Sequence, residues 1–509
     1  MTVFGIDLGT TYSCVAYMGD ANRPTVVRNI DDSDTTPSVV YFESPQNTVV
    51  GVVAKDALKF DAKRVKTRIK RDMGHPVTYE YWGRNYTPEE ISAEILRKLA
   101  ADTAINTGEA VNDVVITVPA YFGINEREAT KKAGELAGLN VIDIVSEPIA
   151  AAISYGSLTS SADRSLLVFD LGGGTFDTTV ISMHDGNILT VCTDGDHDLG
   201  GADWDDELSL YLLDEFRRQH PDVSDPAGDE QIVEEVRLEA ENAKRKLSTT
   251  TKQNVRIIHE GRTATVELTR EKFEELTHTL LTRALEITRR TVETAKSKGV
   301  NSFDDVLLVG GSTKMPAVKQ RLTEEFGFEP QLFDPDLAVA KGAAIYAFEE
   351  TYRRMVAQGG QQAQQADQLA KQAGLSEAQQ QAMRKRIIRT VASRSFGVVI
   401  YDEAQQRDFV DHLVHANDQL PAERTEEYYT LEDNQVAVKV RVMEQSGAQE
   451  SPEPANNREI IHGNIAIPPR KPRGWPIEVT FHLDGSGLLK VAALERETGK
   501  RLDLTVQTS

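Results

Sequence analysis

Two segments far apart in the chain repeat one design: an apolar run, an aspartate, a leucine, a glycine turn and a threonine. The first is Val3-Phe4-Gly5-Ile6-Asp7-Leu8-Gly9-Thr10-Thr11, and the second is Leu166-Leu167-Val168-Phe169-Asp170-Leu171-Gly172-Gly173-Gly174-Thr175. Internal duplication is the economical explanation, and it calls for a fold of two related lobes. Glycines let backbone N–H groups approach phosphate oxygens with no Cβ in the way, and threonine hydroxyls add donors at the turn. The aspartates at the strand ends, Asp7 and Asp170, offer hard oxygens suited to a Mg²⁺ ion that keeps most of its waters. A single strand-Asp-Gly turn is as readily an ordinary tight turn. The ordered repeat is what favours a nucleoside triphosphate held between two lobes.

Other phosphate-binding designs are absent from the sequence: it contains no G-x-x-x-x-G-K-[ST] and no G-x-G-x-x-G. Gly485-Ser486-Gly487 lies between the strand-like runs Val479–Leu483 and Leu488–Val491 and reads as a hairpin turn. At 509 residues the chain needs two or three domains. Its 57 Lys and Arg against 79 Asp and Glu, a formal charge of -22, oppose binding to nucleic acid or to an anionic membrane face. No leader and no membrane-spanning run is apparent, and Cys14 and Cys192 sit in strand-like apolar contexts as packing thiols, so a reducing cytoplasm is expected. The ten histidines form no zinc motif, and no transition metal is assigned.

Residues 1–350 alternate strands with helices and read as an α/β nucleotide-binding region. One helix is expected to start with Asn125 as its cap. A third strand-glycine turn, Val306-Leu307-Leu308-Val309-Gly310-Gly311-Ser312-Thr313, closes that region. Residues 351–394 form a Gln/Ala-rich stretch and a linker, with a capping box at Ser376 and Gln379, read as short helices on a spacer rather than a packed unit. Residues 395–509 show only strands and turns and read as an antiparallel β-sandwich-like domain.

With three glycine turns in this order, the chain resembles the seventy-kilodalton heat-shock chaperones of the DnaK type over nearly its whole length. The matching segments are Ile6-Asp7-Leu8-Gly9-Thr10-Thr11-Tyr12-Ser13, Val168–Asp177 and Leu308–Pro316. Glu147-Pro148-Ile149-Ala150, Glu241–Ser248 and Leu431-Glu432-Asp433-Asn434-Gln435 separate it from actin-like ATPases and sugar kinases, which share the two-lobed fold. The resemblance implies an actin-like, two-lobed α/β ATPase domain followed by an all-β peptide-binding domain, using ATP/ADP and Mg²⁺. It also implies unfolded polypeptide clients, a J-domain co-chaperone and a nucleotide exchange factor, with no nucleic acid and no membrane. The family's helical lid and acidic tail are missing from the sequence as read, which implies fast peptide exchange.

Residue by residue, the resemblance implies that Lys70 touches the attacking water and γ-phosphate. Asp7, Asp170 and Asp177 organise Mg²⁺ and that water, Glu147 stands between the lobes, and Thr175 is the γ-phosphate hydroxyl. Gly9, Thr10, Thr11, Tyr12, Gly172, Gly173, Gly174, Gly200 and Gly201 line the phosphates. Glu241, Lys244, Arg245 and Ser248 share one helix face for ribose and adenine, opposite Gly310, Gly311, Ser312, Lys314 and Asp336. Lys314 stands where the family has arginine, and Ala202 replaces a family glutamate. Pro119 and Arg127 match the family's switch and relay. The linker keeps Ile387, Ile388 and Val391 as apolar docking residues but inserts Arg389 and lacks the family's acid. Val398, Ile400 and Val438 would line the peptide groove, with Tyr401 and Leu431 as its arch. The rival reading is an actin-like ATPase whose β-domain docks one dedicated partner; a small-molecule kinase has no role for such a tail.

Overall fold

In the computed structural model, which describes residues 2–19, 23–158, 163–447 and 449–505, the repeated motif opens two sheets of one topology. Phe4–Asp7 pairs antiparallel with Tyr12–Gly19 and parallel with Asp113–Val118. Arg164–Leu171 pairs antiparallel with Phe176–His184 and parallel with Asp305–Val309. Numbering the five shared strands of each sheet along the chain, both run fifth, fourth, first, second, third. The fifth strands, Asn140–Ser146 and Pro330–Leu332, lead to the helices Glu147–Leu158 and Ala338–Gln358. Strands such as Asp113–Val118 are apolar on both faces because helices cover both sides of the sheet. The first lobe closes over Phe4, Phe42, Ile91 and Ile116, and the second over Phe169, Phe176, Trp204 and Phe216.

The two lobes meet where those Ala-rich helices cross. A Cβ on Gly342 would overlap the backbone of Ala150, and one on Gly5 would overlap Ala343 and Ala344, so backbone meets backbone at the crossing and at the strand beneath it.

Several details depart from expectation. Helix Ile124–Leu136 is capped by Gly123 in extended conformation, not by Asn125, whose Oδ1 is buried without a hydrogen-bond partner. The Gln/Ala-rich stretch forms helices Gly360–Gln372 and Glu377–Lys385, with the capping box at Ser376 and Gln379 present. These helices are packed rather than free: Ala366, Ala370, Leu375 and Met383 close around Tyr352 of the preceding helix. The linker is extended. Ile388–Arg389 adds a parallel edge strand beside Asn187–Asp196, and Val391, buried, bridges to Gln419. Ile387 by contrast turns its side chain outward.

The C-terminal region is a sandwich of two four-stranded antiparallel sheets around Phe396, Val442, Phe481 and Val491. Gly485-Ser486-Gly487 is the hairpin turn expected, with Asp484 Oδ1 accepting from the N–H groups of Ser486 and Leu488. This sandwich sits against both lobes. Ser486 Oγ donates to Asp143 Oδ1 at 2.7 Å, Ile124 N to Glu444 Oε1 at 3.2 Å, and Thr193 N to Asn417 Oδ1 at 2.8 Å. No helix among the described residues is long and apolar enough to cross a membrane.

Because the helix crossing leaves no room for a side chain at position 342, Gly342→Val should cost about 1–3 kcal/mol of overpacking. The expected result is a lower midpoint for the first thermal transition followed by circular dichroism. An unchanged melting profile would show that the crossing is not close-packed.

Candidate functional site

The three strand-end turns converge in the cleft between the lobes. A Cβ on Gly173 would overlap the Thr11 side chain and one on Gly174 the Thr10 side chain, so the two repeated turns face each other directly. Gly9 N donates to Ser13 Oγ at 3.2 Å, and Gly172 N to Thr175 O at 3.1 Å, folding each turn tightly. Gly200 lies against the backbone of Gly174. Gly172 O accepts from Gly201 N and from Ser312 Oγ, both at 2.9 Å. Gly310, at φ 84°, has Leu171 O where a Cβ would stand, which joins the third turn to the second.

Beneath the turns lies a concentration of charge. Lys70 Nζ is 2.6 Å from Glu147 Oε1, and both side chains are buried. Asp170 and Asp177 are buried beside them, and Asp7 is half-buried at the end of the first motif. Burial, and then the Glu147 charge, push Asp7 up to about 7, although Thr117 Oγ1 donates to its Oδ1 at 3.1 Å. Asp177 is pushed up to about 7 for the same two reasons, against a 3.0 Å hydrogen bond from Tyr121 N. Asp170 is raised well above the usual carboxylate range by burial first, then by Glu147, Asp177 and Asp7. Four carboxylates around one ammonium form a site short of positive charge. The chemistry of that donor set, below turns with no room for side chains, fits a hard divalent cation and phosphate oxygens.

Helix Glu230–Leu247 and the turn at Tyr12 are joined by cross-lobe contacts. Lys55 Nζ reaches Glu241 Oε2 at 2.6 Å and Tyr12 OH at 2.9 Å, while Arg245 donates to the same phenol oxygen at 3.2 Å. Lys244 Nζ is buried on Gly201 O at 2.6 Å and Asp205 Oδ2 at 2.8 Å, and Ser248 Oγ donates to Lys244 O. On the opposite wall Lys314 pairs with Asp336. A chamber of about 490 Å³ opens past Ser248 and Met315, floored by Trp204, Leu247 and Phe273.

Neither Lys55 nor Arg68 carries a local sequence signature, and sequence reasoning missed both. Arg68 in fact crosses the cleft to Asp206 at 2.6 Å. Arg71 donates from Nε to Gly174 O at 2.8 Å and pairs with Asp203.

The loop after Pro119 touches both the charge cluster and the β-domain. Tyr121 N holds Asp177, and the Phe122 ring lies 5.8 Å from Lys70 Nζ. Arg127, fully buried, donates to Phe122 O at 3.1 Å, to Ala120 O and to Ser486 O of the sandwich hairpin. His197 packs on the Tyr121 and Phe122 rings and accepts from the Arg394 guanidinium. Burial, and next the Arg394 charge, push it down to about 3.

In the β-domain, Val398 is buried in the sandwich core and pairs with Val442 on the neighbouring strand. Ile400 and Val438 are half-buried at the edge of that core, and Tyr401 and Leu431 are exposed. Tyr429 and Val436, not picked out from sequence, are also exposed.

The family model described as Hsp70 protein matches residues 3–80, 75–349 and 366–509. The chain belongs to the Hsp70 family. It is 36% identical over 544 aligned residues to the Chaperone protein DnaK of Deinococcus proteolyticus, an alignment covering 99% of this chain and 78% of that protein. The chain is accordingly an ATP-dependent chaperone and an ATP hydrolase, and the docking-only reading is not favoured.

His197 generates a pH prediction. Its folded pKa of about 3 lies below the unfolded value near 6.5, so the unfolded chain binds the extra proton in that window. Its contribution to stability is therefore full above pH 6.5 and is lost as pH falls toward 3. His197→Gln, which keeps an acceptor for Arg394, should lose less thermal stability than the parent between pH 6.5 and 5. Parallel melting curves across that range would remove His197 from this role.

Proposed function

We propose that the charge cluster beneath the paired turns is where the Hsp70 ATPase step takes place, with Asp7 and Asp170 holding Mg²⁺ mainly through water. The observation that carries this reading is the set of four carboxylates around Lys70, set directly under two facing glycine turns. When bound, the ion neutralises phosphate charge as the phosphoryl group transfers. The chain's own residues do the rest. The turns Gly9 to Tyr12, Gly172 to Gly174, and Gly200 and Gly201 orient the phosphates, with the N–H groups of Gly9, Gly172, Gly200 and Gly201 holding the turns in shape, and Thr175 adds a hydroxyl. Lys70 opposes charge developing at the γ-phosphoryl group. Asp177 has one oxygen fixed by Tyr121 N, which leaves the other to orient a water together with Glu147. No strong dedicated base is present in the set, so hydrolysis is slow. Glu241, Lys244, Arg245 and Ser248 face ribose and base across from Gly310, Gly311, Ser312, Lys314 and Asp336.

Client peptides, in this reading, lie extended against Val398, Ile400 and Val438, with Tyr401 and Leu431 arching over them. Pro119 and Arg127 connect that domain to the site, and Ile388 and Val391 anchor the linker. A J-domain co-chaperone, an exchange factor and a cytoplasmic setting complete the proposal. Its overall test is ATP turnover with and without an unfolded peptide: stimulation supports coupling, and identical rates overturn it.

Lys70→Ala should slow single-turnover hydrolysis by about a hundredfold, since losing one such charge costs about 3 kcal/mol of transition-state stabilisation. ATP affinity measured by calorimetry should change far less, because the base and ribose contacts lie elsewhere. Parent-like hydrolysis in this variant would exclude Lys70 from the chemistry.

A further inference from the structure

We propose that the Gln/Ala-rich helical pair is a clamp that keeps the first half of the interdomain linker in the second sheet, confining the hinge to the junction of Arg389 and Thr390. The inference goes beyond the coupling described above and rests on it only in taking release of the β-domain as the motion that the clamp resists.

The linker's main-chain pairing changes sides at that junction. Before it, every hydrogen-bonding partner named is on the ATPase side. Arg386 NH1 meets Glu349 Oε1 at 2.6 Å, and Arg386 O accepts from Arg353 NH1 at 3.2 Å. Ile387 N donates to Asn187 Oδ1 at 2.8 Å, and Ile387 O accepts from Ile188 N at 2.9 Å. Ile388 and Arg389 then pair with Ile188 and Leu189, and Ile388 packs on the apolar cluster between the lobes. Beyond the junction the backbone turns to the β-domain: Thr390 O accepts from Leu420 N, Val391 bridges Gln419, and Ala392 N donates to Asp418 O.

The helices supply the anchorage for the first half. Arg384 Nε donates to Tyr352 OH at 2.8 Å and its NH2 reaches Asp367 at 2.7 Å, so the second helix is tied to both the first helix and the long helix Ala338–Gln358. Arg386 follows that helix directly. Its partner Glu349 is buried, with a side chain only 6% exposed. Pulling the linker off the sheet would leave that carboxylate buried without its cation, which is strongly disfavoured. The ordering entropy of an edge strand is thus met by a packed neighbour that needs no β-domain contact. Residues 350–365, the end of the long helix and the start of the first clamp helix, fall outside the ranges matched by the family model.

Amide hydrogen exchange on the full chain tests the proposal, with ATP, with ADP, and with ADP plus an unfolded peptide. In the parent, segments 186–190 and 384–389 should keep their protection within about twofold in all three states, while 390–394 and 415–420 exchange more than tenfold faster on release of the β-domain. Two variants loosen the clamp in different ways: Arg386→Met removes the buried pair, and Ala370→Glu places a charge under the first helix while leaving that pair intact. In both, exchange at 384–389 should rise at least tenfold, with circular dichroism confirming that the remainder is folded. Opening of 384–389 together with 415–420 in the parent, or parent-like exchange in both variants, would overturn the clamp. If 415–420 responds to no nucleotide or peptide, coupling fails, and the two variants alone decide whether the clamp exists.

Discussion

The structure depends on a charge imbalance held out of water. Asp7, Glu147, Asp170 and Asp177 come from four strand ends or helix starts in two lobes, with Lys70 as the only ammonium among them. Collecting carboxylates in a low-dielectric cleft raises Asp7, Asp170 and Asp177 toward protonation. The rest of the ATPase region works to keep the four groups close. Two related sheets present equivalent aspartates, Gly342 lets the central helices touch, and Arg68 and Arg71 draw the lobes shut from above.

The same cluster makes the β-domain's position relevant to chemistry. The segment from Pro119 to Gly123 is short and shared: one side holds Asp177 through Tyr121 N, and the other receives Arg127, Ser393 and, one residue later, Glu444. Glu444 and Glu126 are both buried at this joint and share Arg458. Removing one member of such a buried network leaves an uncompensated charge, so the joint has few intermediate arrangements. A sandwich shift that moved this loop would also disturb the carboxylate it holds.

Composition was a poor guide where small residues pack. The Gln/Ala-rich stretch looks like solvated spacer because its apolar content is mostly alanine, yet Ala366 and Ala370, one helical turn apart, let the helix approach Tyr352 closely. In the β-domain, alternate residues of one strand share a face but not a depth. Val398 went fully into the core while Ile400, two residues on, stayed at its edge.

What could be read from the sequence alone was whatever a short stretch of chain decides by itself. That covers the repeated strand-Asp-Gly motif and hence two lobes of one topology, the glycine turns, the Asp484 hairpin, the capping box at Ser376, and the change from α/β to all-β. Motifs this specific also identified the family. Tertiary structure decided the remainder: which cation faces which acid across the cleft, as with Lys55 and Glu241 or Arg68 and Asp206; that Gly123 rather than Asn125 caps its helix; and that the linker becomes an edge strand. These features join residues more than a hundred positions apart, or depend on which of several local options a neighbouring surface leaves open. Their energies come from desolvation and close packing, which exist only once the chain has brought distant segments together.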